Sequence, residues 1–181
     1  MISVIVPIYN VEDYLRYAMK SLVDQTYRDF EVILVNDGST DNSGELCDFY
    51  AKEYTWVSTY HKENGGLSDA RNYGVAQAKG EWIVFLDPDD YFEPCALELL
   101  MELQKRTGAR IVAGKGKETY SHDSYKNIQL NNQVLLQAKL FSSKEALVEM
   151  LYGEIATVSA WAKLFPKDIV EKYPYPKGKI Y

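Results

Sequence analysis

The stretch that decides the fold is Trp82-Ile-Val-Phe-Leu-Asp-Pro-Asp-Asp-Tyr-Phe92. Five successive apolar residues, 82–86, show no polar alternation and therefore predict a strand that is buried on both faces. Three carboxylates follow at once: Asp87, Asp89 and Asp90. Clustered carboxylates repel one another, so a divalent cation would stabilise them, and hard oxygen ligands favour Mg²⁺ or Mn²⁺. The alternative is a solvated acidic turn, because an isolated Asp-X-Asp tripeptide is a short motif.

Length and composition indicate one ordinary globular domain. The chain has 181 residues, of which 46% are hydrophobic and 25% are charged, so a sizeable core can form. The net charge of −6 and the pI near 5.0 argue against a nucleic-acid binder, which normally presents a basic face. Any polyphosphate ligand would therefore need a local cation, either a metal ion or an arginine.

The cysteines favour a reducing compartment, and the hydropathy pattern predicts no membrane-spanning segment in this chain. Cys47 and Cys95 lie in predicted helices without metal-ligand spacing, so we interpret them as buried, reduced thiols. The N-terminus lacks a basic region before its short apolar run, and no apolar window approaches the roughly 20 residues that cross a bilayer. We expect a cytoplasmic protein, with peripheral attachment of the full protein at the inner face of the membrane as an open alternative.

Buried strands alternate with segments of helical periodicity along most of the chain. Such alternation predicts βαβ units, and hence an α/β, Rossmann-like fold with a mostly parallel sheet and helices on both faces. The predicted strands are 2–6, 31–35, 56–60, 82–86 and 110–113. Further along, the pattern predicts an isolated strand at 134–136, a helix at 143–151, and a short strand or turn at 160–166 that is followed by a short helix.

Several residues have the chemistry of helix ends. Candidate first-turn or capping residues are Asn10 with Asp13, Asp41, Ser68, Pro94 and Ser143, and Gly80 is a candidate helix terminator. In the helix after Asp41, the predicted apolar face is Leu46, Phe49 and Tyr50. In the helix after Ser68, small residues recur every fourth position and would let a neighbouring backbone come close: Ala70, Gly74 and Ala78.

Polar clusters follow the strands of the predicted sheet. They occupy 7–10, 36–39, 61–66 and 87–90. The carboxyl ends of parallel strands share one edge of a sheet, and ligands of open α/β sheets bind outside that edge. The four clusters are therefore expected to meet at one rim, which favours a binding site over four unrelated turns.

These residues resemble the bacterial family-2 inverting glycosyltransferases of GT-A fold over nearly the whole chain. The matching blocks are Val4-Ile-Val-Pro-Ile-Tyr-Asn10, Leu34-Val-Asn-Asp-Gly-Ser-Thr-Asp41, Asn64-Gly-Gly-Leu-Ser-Asp-Ala-Arg-Asn-Tyr-Gly74 and Phe85-Leu-Asp-Pro-Asp-Asp90, with a weaker one at 161–164. The resemblance implies a metal-dependent transferase that moves a sugar from a nucleotide-sugar, most often a UDP-sugar, to an acceptor hydroxyl with inversion. The implied acceptor is a polysaccharide or a lipid-linked glycan of the cell surface.

The resemblance also implies roles for residues that line the nucleoside. Asp37 matches the position that hydrogen-bonds the base, and its alternative role is to hold a loop by an Asx turn. Pro7 and Tyr9 match the loop beside the nucleoside, where Tyr9 could stack on the base. The alternative for Tyr9 is an ordinary buried rim tyrosine.

Further roles are implied near the diphosphate. Arg71 matches an arginine that faces the donor diphosphate, and its alternative is a surface salt bridge to Asp69 or Glu81. Asp87 matches the ribose contact and the first position of the DXD motif. Asp89 matches the metal ligand, and Asp90 would orient that shell.

The catalytic base is expected outside this stretch. In the family it is an aspartate shortly after a Pro-x-Gly segment, and here Pro176-Lys177-Gly178 lies close to Tyr181, the last residue. We therefore predict a donor-binding core at 1–114, the start of an acceptor-side region at 115–181, and little activity without the residues that follow. Two positions depart from the family pattern: Pro88 replaces a small serine and Asn36 replaces a frequent aspartate.

Two other functions remain open from the sequence. One is a nucleotide-sugar binding module without catalysis of its own. The other is a sugar-nucleotidyltransferase, which shares the sheet and the acidic site. That class normally carries a Gly-rich, lysine-containing loop after the first strand, and residues 7–10 do not supply one.

Overall fold

The computed structural model describes residues 1–115, 138–152 and 159–178. Strands and helices alternate, as their apolar patterns predict. The strands are β1 (Ile2–Ile8), β2 (Phe30–Asp37), β3 (Val57–Lys62), β4 (Trp82–Phe85), β5 (Val112–Ala113) and β6 (Lys163–Pro166). The helices are α1 (Leu15–Val23), α2 (Ser43–Glu53), α3 (Leu67–Gln77), α4 (Ala96–Thr107), α5 (Ser143–Tyr152) and α6 (Lys167–Lys172).

One six-stranded sheet carries these elements in the order β3-β2-β1-β4-β6-β5. The four strands from β3 to β4 are parallel, and β1 pairs with both β2 and β4. β6 is antiparallel to both of its neighbours, β4 and β5. The predicted mostly parallel α/β sheet is therefore confirmed. β6 comes after residue 114, the predicted end of the donor-binding core. It nevertheless lies in the same sheet, between β4 and β5, which precede it in the chain.

The core has two layers because alternate residues of each strand point to opposite faces of the sheet. On one face, Val4 and Val6 of β1 pack in a cluster with residues of α1, α2 and α4. On the other face, Ile5 packs in a cluster with residues of α3 and α6. Both faces of β1 are buried, which explains why its sequence is a continuous apolar run.

Three predicted helix ends are wrong, because none of these residues lies at the end of a helix. Asn10 has a left-handed φ of 52° and lies in the loop before α1, which begins only at Leu15. Ser68 lies inside α3, and Gly66 is the residue that precedes that helix. Gly80 is three residues past the end of α3. A Cβ there would lie 2.8 Å from the carbonyl oxygen of Met1, so this glycine allows close approach to β1.

Other helix predictions need smaller corrections. Phe49 is 55% exposed and does not belong to the buried face of α2, which contains Cys47. α4 begins at Ala96, two residues after Pro94, so Cys95 precedes the helix. The cap of α5 is Ser142 in place of Ser143, because the Ser142 hydroxyl accepts from the Glu145 backbone N–H and the Glu145 carboxylate accepts from the Ser142 N–H. This reciprocal pair is a capping box.

The two cysteines behave as predicted. Both are buried and free. Burial, with the nearby charges of Asp48 and Asp41, raises the pKa of the Cys47 thiol to about 12. A thiol with so high a pKa is a poor nucleophile at neutral pH, so Cys47 is part of the core.

Some predictions fall outside the described residues. These are the strand at 134–136 and part of the acceptor-side region 115–181, since residues 116–137, 153–158 and 179–181 are not described. Among the residues that are described, none of the helices combines the length and the apolar composition that crossing a bilayer requires.

Gly74→Ala should destabilise the protein, although alanine has the higher helix propensity. A Cβ at position 74 would lie 2.4 Å from Cγ2 of Ile5 and 3.3 Å from Cγ2 of Val35. Overpacking a core costs about 1–3 kcal/mol, whereas alanine gains roughly 0.5–1 kcal/mol over glycine in a helix. We expect urea denaturation to show a free energy of unfolding that is lower by about 1 kcal/mol or more.

The control for this variant is Ala76→Gly, at an exposed position of α3. It tests helix propensity alone and should lower the free energy of unfolding by at most about 1 kcal/mol. A Gly74→Ala variant that is more stable than the parent would contradict the close packing of α3 on β1 and β2.

Candidate functional site

The candidate site lies at the edge of the sheet where β1, β2 and β4 end. Ile8 at the end of β1 lies opposite Asn36 of β2, and Ile5 lies opposite Phe85 at the end of β4. The loops that follow these strands therefore emerge side by side. They carry Tyr9, the residues after Asp37, and the acidic turn that begins at Asp87.

Hydrogen bonds join the loop after β1 to the loop after β2. The Asn10 backbone N–H donates to the Ser39 hydroxyl at 3.1 Å, and the Asn10 side-chain oxygen accepts from the Thr40 N–H at 2.8 Å. Asp41 accepts from the backbone N–H groups of Glu12 and Ser43. Although burial opposes ionisation, these bonds lower the pKa of Asp41. Asparagine tolerates the left-handed conformation that Asn10 needs here.

This joined pair of loops fixes the backbone on both sides of Tyr9. Pro7 is buried within β1, whereas Tyr9 is 50% exposed at the rim. The alternative of a buried rim tyrosine therefore does not hold. An exposed aromatic ring on a constrained backbone is suited to stacking against a planar ligand.

Asp37 anchors the loop before α3. Its side chain is only 4% exposed, and its carboxylate accepts from the backbone N–H groups of Gly65 at 2.9 Å and Gly66 at 2.8 Å. Lys62 donates to the same carboxylate at 2.5 Å. The loop that Asp37 holds is thus the one that leads into α3. The turn after β2 is closed by Asn36 in place of Asp37, since the Asn36 side-chain oxygen accepts from the Ser39 N–H.

Asn36 also stabilises a neighbouring histidine. Its amide nitrogen lies 2.9 Å from Nδ1 of His61, and Nε2 of His61 lies 2.9 Å from a carboxylate oxygen of Asp48. Because the Asn36 amide oxygen already accepts from Ser39, the amide nitrogen donates to Nδ1, which assigns the hydrogen of neutral His61 to Nε2. An aspartate at position 36 could not donate this bond.

A line of alternating charges extends from Asp37 along the loop. Lys62 bridges Asp37 and Asp69, and Asp69 in turn contacts Lys177. Burial alone would lower the pKa of Lys62, but the bonds and charges of Asp37 and Asp69 outweigh it and raise that pKa. The bonds from Lys177 and Lys62 lower the pKa of Asp69. Lys62 and Asp69 are therefore charged at neutral pH.

Arg71 pairs with Asp87, which excludes the predicted alternative of a salt bridge to Asp69 or Glu81. Its Nη2 donates to an Asp87 oxygen at 2.7 Å, and its side chain is only 11% exposed. The guanidinium carbon lies 5.8 Å from the ring centre of Phe85 and 5.5 Å from that of Tyr175. Within the described ranges, the buried Nε of Arg71 has no hydrogen-bond acceptor.

The acidic turn presents carboxylates at the same rim. Asp89 and Asp90 are exposed, and Asp87 is partly buried against Arg71. Partial desolvation, followed by the charges of Asp89 and Asp87, raises the pKa of Asp90 to about 6. The repulsion between close carboxylates that the sequence predicts thus adds to the larger effect of desolvation on the pKa of Asp90.

The carboxylates of this turn could hold a metal ion if the phosphates of a bound molecule supplied further oxygen ligands. In the described part of the chain, no three His, Cys, Asp or Glu side chains surround a common point, so the protein alone does not preform a closed metal cage. Mg²⁺ and similar ions are commonly held by one or two carboxylates plus substrate phosphates. The exposed Asp89 beside Asp87 fits that second arrangement.

A sequence model described as glycosyl transferase family 2 matches residues 3–174. The chain belongs to glycosyl transferase family 2. It is 34% identical over 189 residues to Glycosyltransferase GlyA of Streptococcus pneumoniae, a match that covers 99% of this chain and 26% of that protein. It is also 34% identical over 195 residues to the minor teichoic acid biosynthesis protein GgaB of Bacillus subtilis, with 96% and 21% covered.

The GT-A fold is shown by solved structures. The crystal structure of S. aureus TarS 1–349 in complex with UDP-GlcNAc superposes with a TM-score of 0.73 at 23% identity, covering 97% of this chain and 48% of that one. The chain spans about half or less of the length of the first curated relatives that it matches.

Sequence reasoning missed several polar residues of this family-2 site. Lys62, Asn72, Tyr175 and Lys177 all contact residues named as candidates or their neighbours. Lys62 belongs to the polar cluster predicted at 61–66, but sequence reasoning assigns it no role of its own. Tyr175 and Lys177 are more than 100 residues from Arg71 and Asp69, and no local pattern indicates such contacts.

Asp37→Ala should unfold more easily than the parent. The substitution removes the partner of Lys62 and of two backbone N–H groups in a place that is 4% exposed. Breaking a buried ion pair by deleting one member costs about 3–5 kcal/mol. We expect urea denaturation to report a loss near the lower end of that range, because Lys62 keeps Asp69 as a partner.

Asp48→Ala is the matched control, since its carboxylate is 53% exposed and pairs with His61. Exposed pairs contribute about 0–1 kcal/mol, so this variant should remain close to the parent. Equal, small losses for both variants would show that Asp37 does not anchor the loop.

Proposed function

We propose that this rim binds a nucleotide-sugar, specifically a UDP-sugar, and that the protein transfers the sugar to an acceptor hydroxyl with inversion. The observation that carries the proposal is the environment of the Arg71 guanidinium. Its guanidinium is almost buried, is held by one carboxylate, and keeps an Nε without an acceptor in the described residues. A buried, unsatisfied cationic donor is costly unless a ligand completes it, and a planar guanidinium suits phosphate oxygens.

The overall charge agrees with a diphosphate at this position. A chain with a net charge of −6 repels an anionic ligand unless cations are concentrated where it binds. Arg71 and Lys62 both lie at this rim, on α3 and at the end of β3. They supply cationic groups, each paired with carboxylates, that composition alone does not reveal.

The nucleoside would occupy the space between Tyr9 and Asp37. Tyr9 offers an exposed ring for stacking on the base, and Pro7 supports the strand end beneath it. An ionised carboxylate has about four acceptor positions. Three donors already contact Asp37, which leaves one position for an N–H of the base, so loop anchoring and base binding are compatible.

The metal would be Mn²⁺ or Mg²⁺, held by Asp89 with Asp87 and by the diphosphate. When bound, such an ion stabilises the negative charge that develops on the departing nucleoside diphosphate. In this assignment Asp87 holds Arg71 and contacts the ribose, while Asp90 orients the exposed carboxylates of the turn. Release of the Asp90 proton, whose pKa is about 6, would be favoured by a nearby cation.

The acceptor is proposed to be a cell-surface glycan, either a polysaccharide or a lipid-linked chain. The name of the similar protein GgaB, which refers to teichoic acid biosynthesis, supports this class. Attack by the acceptor hydroxyl requires a general base within hydrogen-bond reach. We assign that role to none of the described residues. The division into a donor core at 1–114 and an acceptor-side region from 115 remains a prediction.

Binding of UDP should raise the melting temperature in the presence of Mn²⁺. A ligand at 100 times its Kd stabilises the folded state by about 2.7 kcal/mol, which corresponds to roughly 5 to 10 °C for a protein of this size. Differential scanning fluorimetry with a panel of UDP-sugars measures this shift, and calorimetry with Mn²⁺ or with a chelator measures the affinity. We expect Asp89→Ala to weaken UDP binding about tenfold with Mn²⁺ and to have no effect with the chelator.

The control is Asp168→Ala, which removes an exposed carboxylate in the first turn of α6. This helix follows the end of β6, which pairs with the start of β4, whereas the candidate site lies beyond the end of β4. It should bind UDP as the parent does. Equal UDP affinity with metal and with chelator would show the metal role of Asp89 to be wrong. No response to UDP or to any UDP-sugar would refute the proposed function.

A further inference from the structure

Asn72 makes an unusual contact with the segment that follows α6. Its side-chain amide donates to the Tyr175 carbonyl oxygen at 2.8 Å and accepts from the Tyr175 backbone N–H at 2.9 Å. Both backbone groups of Tyr175 are therefore satisfied by one side chain that is 103 residues away. An amide is the side chain that can offer a donor and an acceptor at once in this way.

A second contact comes from the same face of α3. Asp69 lies one turn before Asn72, and residues three apart on a helix are neighbours. Its carboxylate forms an ion pair with Lys177, two residues after Tyr175. We call Asn72, Asp69 and the segment 175–177 the clamp, because two contacts from one helix hold three successive residues of the chain.

The clamp determines where the Tyr175 ring lies. The ring centre is 5.5 Å from the guanidinium carbon of Arg71, and it meets the ring of Phe85 edge-on at 5.4 Å and 89°. Arg71 therefore packs beside this pair of rings, about equally far from both ring centres, while Asp87 holds one end of its guanidinium. Burial raises the pKa of the Tyr175 hydroxyl, with Arg71 and Asp87 acting on it in opposite directions, which places that hydroxyl in the environment of the ion pair.

We propose that Asn72 and Tyr175 are positioning residues that hold the Arg71 guanidinium ready for a diphosphate. The inference rests on the proposed function, because it assigns the anion at Arg71 to the donor. An arginine side chain in solution samples many rotamers, and ordering it on binding weakens affinity. Packing against the paired rings of Phe85 and Tyr175 orders Arg71 before the ligand arrives. The clamp thereby increases affinity for the phosphates without contacting them.

The clamp also links two parts of the protein. The chain that holds Tyr175 and Lys177 comes from beyond β6 and α6, whereas Arg71 and Asp87 belong to the candidate donor site. Because coupling between two sites is reciprocal, a ligand that orders Arg71 also favours the clamped position of 175–177. Diphosphate binding would thus stabilise the placement of the segment that follows α6.

The test compares ligands with and without phosphates on two variants of the clamp, Asn72→Ala and Tyr175→Leu. If the clamp acts through Arg71, the affinity for UDP should fall about three- to tenfold, the range expected for ordering one long side chain. The affinity for uridine, measured by NMR titration, should not change. In an Arg71→Lys background, the same two changes should have no further effect on UDP binding, because directly coupled residues give non-additive effects.

Tyr173→Leu is the matched control for Tyr175→Leu, since Tyr173 is 68% exposed in the same segment. It should bind UDP as the parent does. Alanine is a good helix former, so Asn72→Ala should fold even if Tyr175→Leu does not. In that case the UDP and uridine affinities of Asn72→Ala alone test the inference. Unchanged UDP affinity, or equal losses for UDP and uridine, would overturn the inference. If the parent chain itself bound no UDP, the proposed function would be the claim that fails.

Discussion

The Asp37 carboxylate is the contact on which the candidate site depends. It lies at the end of a buried strand, where the sheet fixes its position, and it bonds to the two glycines that precede α3. The start of α3 is therefore set by β2, although the two elements are separated by β3 in the chain. Arg71 lies one turn inside α3, so its position relative to Asp87 at the end of β4 follows from the same bond. Buried ion pairs of this kind contribute little net stability, but they specify a single geometry in some proteins. Here the geometry is the position of α3, and hence of Arg71, relative to the ends of β2 and β4.

The rim combines opposite charges in a way that composition hides. Arg71 on α3 and Lys62 at the end of β3 both lie at the rim of an acidic chain. Each is held by carboxylates: Arg71 by Asp87, and Lys62 by Asp37 and Asp69. These carboxylates neutralise the cations when no anion is present and keep them oriented. Membership of glycosyl transferase family 2 gives this arrangement a chemical context, since a nucleoside diphosphate carries the charge that such cations complement.

The sequence predicted the sheet well because its signal is local. Continuous apolar runs such as 2–6 and 82–86 can be buried only inside a covered parallel sheet, and turn-forming clusters mark where each strand ends. Helix ends were predicted less well. Asn10, Ser68 and Gly80 have the right chemistry for caps, but Asn10 bonds to the loop after β2 and Gly80 packs against the start of β1. These are tertiary contacts that local propensity does not encode. The same reason hides the antiparallel pairing of β6 with β4, although the sequence pattern predicts a short strand or turn at 160–166, and it hides the pairing of Asn72 with Tyr175 across 103 residues.

The central claim is that the ends of β1, β2 and β4 together hold one nucleoside diphosphate. Hydrogen–deuterium exchange of the chain with and without UDP and Mn²⁺ tests it most directly, because it locates the ligand without any substitution. The account predicts slower exchange in the segments 8–11, 36–40, 64–72 and 86–90, with no change in α4 or at the start of β3 near Val57, the end of that strand away from the rim. Protection confined to other segments, or protection at one of these strand ends without the others, would contradict it.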